Sequence, residues 1–166
     1  MDASEFYSFL KNRNLTITTA ESITAGLLSS TIASVSGASS VLKGGIITYQ
    51  EELKVKLLHV NPQTLKTYSA ESAQTTTEMV NGLAELGLHS DIYVAVTGVA
   101  SAPTNNYKVT KPVGQIYVAV LFKNKTYIFD TLIDGNSRNE IREKTVSYVF
   151  EKIAEVINNR NDLNFL

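Results

Sequence analysis

Cysteine does not occur anywhere in this chain of 166 residues. Its absence excludes disulfides, thiolate metal sites and a cysteine nucleophile together. Histidine occurs only twice, so a His-rich metal site is a poor fit, and a Ser-His-Asp triad has two candidate bases at most. No apolar run approaches the roughly 20 residues that a membrane helix needs. The N-terminal Met-Asp-Ala-Ser-Glu has neither the basic start nor the apolar stretch of a signal peptide, and the cytoplasm is the expected compartment. An excess of one charge is also missing: 15 basic side chains face 16 acidic ones, for a net charge of -1. Phosphate neutralisation needs clustered Lys and Arg, so neither direct nucleic-acid binding nor membrane attachment is expected.

What is present is enough apolar material for a core. Hydrophobic residues make up 43% of the chain, and a domain of this size buries roughly 70% of its unfolded surface. At roughly 150 residues per domain, the length predicts one domain. It is expected over 1–160, with a frayed tail at 161–166. The pattern shows no repeat and no internal linker.

Apolar spacing predicts a helix from Asp2 to Asn12, with Phe6, Phe9 and Leu10 on one face and Asp2 or Ser4 as cap. A strand follows at Leu15–Thr19, then a helix over Ser22–Val35 and a small-residue loop over Ser36–Ser40. Gly45–Tyr49 reads as a second strand. Glu51–Leu58 reads as a short helix, with Leu53, Leu57 and Leu58 in register. Asn61-Pro62 opens a further helical turn. Ala70–Gly87 is a longer helix, and Ile92–Val96 a buried strand. After a polar loop over Gly98–Lys111, Gly114–Phe122 and Tyr127–Ile133 form a hairpin turning at Asn124. Arg138–Ile157 is the last helix. Alternating strands and helices predict an α/β fold, a three-layer α/β/α sandwich with a mixed, mostly parallel sheet of about five strands.

In such sheets ligands gather at the carboxyl ends of strands. Three strand ends carry candidate chemistry. Thr19-Ala20-Glu21-Ser22-Ile23-Thr24-Ala25-Gly26 runs from a strand into a helix, where Ser22, Thr24 and Gly26 suit anion binding or simple capping. Tyr49 and Lys54 follow the second strand, and a confined Lys can take a lowered pKa and accept a proton. Thr97-Gly98 faces the loop that ends in Lys111-Pro112-Val113-Gly114. Arg138 and Arg142, one turn apart, present one face to an anion or to solvent. His59 and His89 read as surface or helix-capping residues. Glu140 and Lys144 read as an ordinary helix ion pair.

Together these segments resemble the CinA C-terminal domain family, the bacterial nicotinamide mononucleotide deamidases, over nearly the whole chain. Thr18-Thr19-Ala20-Glu21-Ser22-Ile23-Thr24-Ala25-Gly26 is similar to the family's T-A-E-S-C-T-G-G. Gly44-Gly45-Ile46-Ile47-Thr48-Tyr49, with Lys54, resembles G-G-V-V-x-Y-S-N-x-x-K. Ala70-Glu71-Ser72 stands where the family has A-V-S. Thr97-Gly98-Val99-Ala100 resembles T-G-I-A, and Lys111-Pro112-Val113-Gly114 is identical to K-P-V-G. Arg138 and Arg142 fall on R-x-x-x-R.

The resemblance implies an amidohydrolase that converts the carboxamide of nicotinamide mononucleotide into a carboxylate and ammonia, with neither metal nor cofactor. Mapped here, Ser39 is the expected nucleophile, Lys54 the general base, and Tyr49 the residue relaying or orienting the proton. Thr97 and nearby amides are expected to hold the substrate or its oxyanion. Ser22, Thr24, Gly26 and Gly98 line the nucleotide pocket, with Lys111 also binding substrate and Arg138 or Arg142 meeting the phosphate. A homodimer, a small-molecule nucleotide as partner and a stand-alone deamidase form are implied in the same way. Several positions depart from the family pattern. Ala25 and Ala38 replace a Gly and a Ser, Gln50-Glu51 replace S-N, and Ser137 looks inserted. Ser101-Ala102-Pro103-Thr104-Asn105-Asn106 replaces a glycine-rich stretch in which glycine permits positive φ. These departures motivate the alternative of a catalytically impaired paralogue that binds a nucleotide or a partner.

Overall fold

The structure is a computed structural model that describes residues 1–104 and 109–161. The expectations for Asn105 and Asn106, and for the tail beyond Asn161, lie outside the described residues.

Helix α1 (Ala3–Lys11) starts where Asp2 and Glu5 exchange reciprocal side-chain to backbone hydrogen bonds of 2.8 and 2.9 Å, a capping box. Strand β1 (Ile17–Glu21) is buried along its whole length, as a central parallel strand should be. Helix α2 (Leu27–Ala33) is shorter than the Ser22–Val35 expected from spacing. The cause is local. Ala25 and Gly26 have φ of +48° and +94°, which no right-handed helix can include. The five residues after β1 therefore form a turn, and Ser22 sits in it rather than on a helix.

A short 3-10 turn (Ala38–Ser40) precedes β2 (Leu42–Ile47). Next come α3 (Glu51–Leu58), α4 (Pro62–Tyr68) and α5 (Ala73–Glu85), the last capped by Ser72. The inward face of α3 differs from the leucine register expected. Lys54 and Leu58 point in, while Leu53 and Leu57 are 36% and 41% exposed. Gly82 of α5 lets the backbones of α3 and α5 meet, because a Cβ there would lie 1.9 Å from the Leu58 carbonyl oxygen.

Strands β3 (Ile92–Gly98), β4 (Gln115–Phe122) and β5 (Lys125–Leu132) follow, then α6 (Arg138–Asn161). The β4–β5 hairpin turns through Lys123 and Asn124, both at positive φ, as a two-residue type I′ turn requires. Helix α6 begins right after Ser137, whose Oγ accepts from the Glu140 amide at 3.1 Å. The apparent insertion is thus a helix cap. Glu140 and Lys144 pair at 2.7 Å, as their spacing predicts.

The sheet order is β2-β1-β3-β4-β5, with β2, β1 and β3 mutually parallel and β4 antiparallel to both its neighbours. Four of five strands therefore run one way, which is the mixed, mostly parallel sheet of a three-layer sandwich. One core packs α1, α2 and α6 against one sheet face, with Phe6 stacked on Phe150 at a ring separation of 4.0 Å. A smaller core packs α3, α4 and α5 on the other face, around Met79, Val80 and Leu83. The carboxyl ends of β1, β2 and β3 come together at one edge of the sandwich. Among the described residues no helix is long and apolar enough to cross a membrane.

Candidate active site

Lys54 is the pivot of the strand-end cluster. Its side chain is only 1% exposed, although α3 carries it on a helix that is otherwise rich in charge. Burial of an ammonium needs acceptors, and three surround it. Nζ donates to the Thr48 carbonyl at 2.6 Å, to Ser22 Oγ at 3.0 Å and to the Tyr49 carbonyl at 3.3 Å. Desolvation lowers its pKa from 10.5 to about 8, against the opposing fields of Glu71 and Glu51, which raise it. The result is an amine that exchanges its proton near neutral pH, in contact with a serine hydroxyl.

Ser22 owes its place to the turn after β1. Its amide donates to the Val96 carbonyl of β3 at 3.0 Å, which fixes the backbone between two strand ends. Arg142 clamps the next two residues: Nε donates to the Ile23 carbonyl at 3.2 Å and Nη2 to the Thr24 carbonyl at 2.7 Å. Glu21, 1% exposed, secures the rest of the turn. Its Oε2 accepts from the amides of Gly26 and Leu28 at 2.9 and 3.0 Å. Its Oε1 accepts from the Ser29 amide and hydroxyl at 2.9 and 2.6 Å, and from Thr19 Oγ1 at 3.2 Å.

Above this pair lies a cavity of about 410 Å³. Ser22, Ile23 and Gly98 contribute strand-end positions, Tyr49 and Gln50 the segment before α3, Glu71 the bend before α5, Arg138 the start of α6, and Val99–Thr104 with Val109 the connecting loop. Arg138 holds two walls together, since Nη1 donates to Ser101 Oγ at 2.8 Å and Nη2 donates to the Tyr49 hydroxyl. Gly98 has a packing reason as well: a Cβ there would sit 2.6 Å from the Gln115 carbonyl oxygen.

Several residues expected in the site lie away from Lys54 or from the cavity. Ser39 is exposed and lies before β2, at the amino end of the strand whose carboxyl end leads to Lys54. At about 3.3 Å per residue the six-residue strand puts them on the order of 20 Å apart, so Ser39 cannot exchange a proton with Lys54. The serine that does touch Lys54 is Ser22. Thr24 is fully buried and Gly26 caps α2, and neither lines the cavity. The α2 amides expected to bind an anion are already taken by Glu21. The Tyr49 phenol meets Arg138; only its carbonyl meets Lys54. Thr97 is fully buried and bonds the Thr76 hydroxyl at 2.8 Å, tying β3 to α5, and does not line the cavity. Arg142 is engaged with turn carbonyls. Lys111 lines a neighbouring cavity with Lys66 and Tyr117.

Ser22, Tyr49, Lys54, Gly98 and Arg138 do come together. Sequence reasoning gave no role to Glu71, Glu21, Gln50 or Thr76. The one available signal was an acidic residue at the end of an apolar strand, Glu21, which a buried strand tolerates only with a full set of donors. His59 is exposed and caps α3 in the left-handed region with φ +55°, and His89 is exposed with φ +49°. Among the described residues no group of three His, Cys, Asp or Glu could hold a metal ion.

A family model described as the CinA C-terminal domain matches residues 2–157. A Mycoplasma pneumoniae protein named "Protein MG115 homolog" is 39% identical over 148 residues, covering 89% of this chain and 92% of that one. A CinA-like protein of Petrotoga mobilis is 34% identical over 154 residues; the match takes 93% of this chain but 37% of the relative. The chain thus spans nearly all of the former and about a third of longer relatives such as the latter. Among solved structures, the competence/damage inducible protein CihA from Agrobacterium tumefaciens superposes with a TM-score of 0.81 at 30% identity, covering 92% of each chain. The competence damage-inducible protein A (ComA) from Klebsiella pneumoniae gives 0.84 at 27% identity, covering 95% of this chain and 98% of that one.

Proposed function

The chain belongs to the CinA C-terminal domain family, and from that premise we propose that it is a metal-independent amidohydrolase. Its proposed reaction is hydrolysis of the carboxamide of nicotinamide mononucleotide to nicotinate mononucleotide and ammonia. The observation that carries this reading is the contact between Lys54 Nζ and Ser22 Oγ at 3.0 Å, buried below and open to a cavity above.

In its neutral form Lys54 keeps two N–H groups for the Thr48 and Tyr49 carbonyls and turns its lone pair to the Ser22 hydroxyl. The two carbonyls orient the amine as the third member of a triad orients its histidine. Lys54 takes the Ser22 proton while Oγ bonds to the carboxamide carbon. As the tetrahedral intermediate collapses, the carbon–nitrogen bond breaks and the Lys54 ammonium returns that proton to the departing amine, which leaves as ammonia. Water then attacks the acyl-Ser22 ester, gives a proton to Lys54, and releases the carboxylate as Ser22 recovers its hydrogen. Arg138, at the cavity rim, is the residue offered to the substrate phosphate.

The test is ammonia release from nicotinamide mononucleotide, run beside nicotinamide, nicotinamide riboside and glutamine. Ser22→Ala and Lys54→Ala each remove turnover by about 10³-fold or more, while Ser39→Ala retains it. Folded protein that releases no ammonia from the nucleotide refutes the activity. Loss of turnover in Ser39→Ala with retention in Ser22→Ala refutes the assignment of the nucleophile.

A further inference from the structure

The cavity carries two formally charged residues among its described lining, Glu71 and Arg138. They stand on opposite faces of the sheet. Glu71 belongs to the bend before α5, which packs on one face, and Arg138 to the first turn of α6, which packs on the other. Ser22 and Gly98 lie between them, at the strand ends. The remaining wall is largely neutral, with Ile23, Val99, Ala100 and Pro103 supplying apolar surface. A ligand that reaches Ser22 while touching both ends must therefore lie across the sheet edge, with a carboxylate at one end and a guanidinium at the other.

A second observation ties Glu71 to the reacting centre. Of the two carboxylates acting on Lys54, Glu71 acts more strongly. Its field thus extends to the spot where Ser22 and Lys54 meet. A positively charged ring placed over Ser22 is repelled by a protonated Lys54, and Glu71 is the group positioned to offset that repulsion. Arg138 already uses two donors on Ser101 and Tyr49 and retains guanidinium N–H groups beyond those two bonds.

Resting on the deamidase reading, we propose that Glu71 is a specificity-determining residue whose carboxylate recognises the positive charge of a pyridinium ring. The cavity then selects a zwitterion, with its cation toward Glu71 and its phosphate toward Arg138, over an isostere with a neutral ring.

The experiment compares nicotinamide mononucleotide with its 1,4-dihydro form, which keeps the phosphate, ribose and carboxamide and carries a neutral, non-aromatic dihydropyridine of nearly the same size in place of the pyridinium; the change in the ratio between variants isolates the part that Glu71 supplies. Dissociation constants are measured by calorimetry in a Ser22→Ala background with Glu71, Glu71→Gln or Glu71→Asp, and kcat/KM ratios in the same variants with Ser22 intact. The expected preference for the charged ring is about tenfold with Glu71, from a Coulomb term at partly exposed separations. It is retained by Glu71→Asp and lost in Glu71→Gln. Loss of the Glu71 field also lowers the Lys54 pKa, which eases repulsion of the charged ring only and so opposes the expected loss; binding is therefore measured at pH 6, below the Lys54 pKa of about 8, where the ammonium persists. An unchanged ratio in Glu71→Gln overturns the proposal while leaving the amidohydrolase intact. A ratio that collapses in binding, in a protein with no turnover, supports the proposal and refutes the activity. Binding of neither ligand overturns both.

Discussion

Lys54→Met makes the buried amine visible in two independent measurements. In the unfolded chain Lys54 holds its proton up to its ordinary pKa of 10.5, and in the fold it releases it near 8. Between those values the unfolded state binds more protons, so stability rises with pH across that window and is lowest, as far as Lys54 is concerned, below 8. The depression amounts to about 3 kcal/mol in total. About 1 kcal/mol of it is regained between pH 7 and 9, and most of the remainder by pH 10.5. Lys54→Met has no such group, and its lost hydrogen bonds to Thr48, Tyr49 and Ser22 shift its stability by an amount that does not vary with pH. The difference between the two proteins should therefore move in favour of the wild type by about 1 kcal/mol from pH 7 to 9, or about 3 °C in Tm for a domain of this size. Denaturant melts at pH 6, 7, 8 and 9 read this directly, and other titrating groups cancel in the comparison.

Under the proposed mechanism the same group would set the rate. A base that must be neutral is about one-tenth available at pH 7 when its pKa is about 8. The proposed activity should then rise about tenfold in kcat/KM from pH 7 to a plateau above 9. Parallel stability curves for wild type and Lys54→Met, together with a flat pH–rate profile from 6 to 9, would refute the claim that Lys54 is a desolvated base.

Glu21→Gln is expected to cost about 2–3 kcal/mol in denaturant unfolding, because one half of the carboxamide becomes an N–H donor aimed at amides that now donate to Glu21. A loss under 1 kcal/mol contradicts that account of the turn. Ala25→Gly relieves a positive φ of +48° on a residue with a Cβ; it should stabilise by about 0.5–1 kcal/mol after the extra unfolded-state entropy of glycine is subtracted. Thermal melts decide it, and a lower Tm refutes it. Arg142→Lys replaces a planar fork with a single ammonium that cannot serve both the Ile23 and Thr24 carbonyls. A fall of about tenfold in kcat with little change in KM is expected from misplacement of Ser22, and an equal rise in KM would point to direct substrate contact instead.

The elements were legible because their signals are short-range. Phe6 and Leu10 fall one helical turn apart, Ile92–Val96 is unbroken in apolar residues, and Asn124 marks a tight hairpin, so local pattern suffices for each. The site was legible only in part, because function here depends on which end of a strand a residue occupies and on what lies beneath it. Ser39 and Ser22 look alike in sequence, both serines in short segments that also hold an alanine and a glycine, Gly37-Ala38 near one and Ala25-Gly26 near the other. Only the parallel register of β1 with β2 and β3 shows that Ser22 opens at the carboxyl edge and Ser39 at the amino edge. Lys54 was found as a candidate base, yet its neighbours Leu53 and Leu57 suggested a different inward face for α3. A lysine takes the buried position because three oxygen acceptors converge there, and they come from two separate chain segments, the turn after β1 and the residues after β2. Glu21 reverses the usual inference from a Ser- and Gly-containing turn before a helix. Such a turn is ordinarily available to an anion, but here the chain supplies its own carboxylate. The phosphate of the proposed substrate would have to be met elsewhere, and the guanidinium facing the cavity is that of Arg138, with Arg142 bonded to the Ile23 and Thr24 carbonyls next to Ser22.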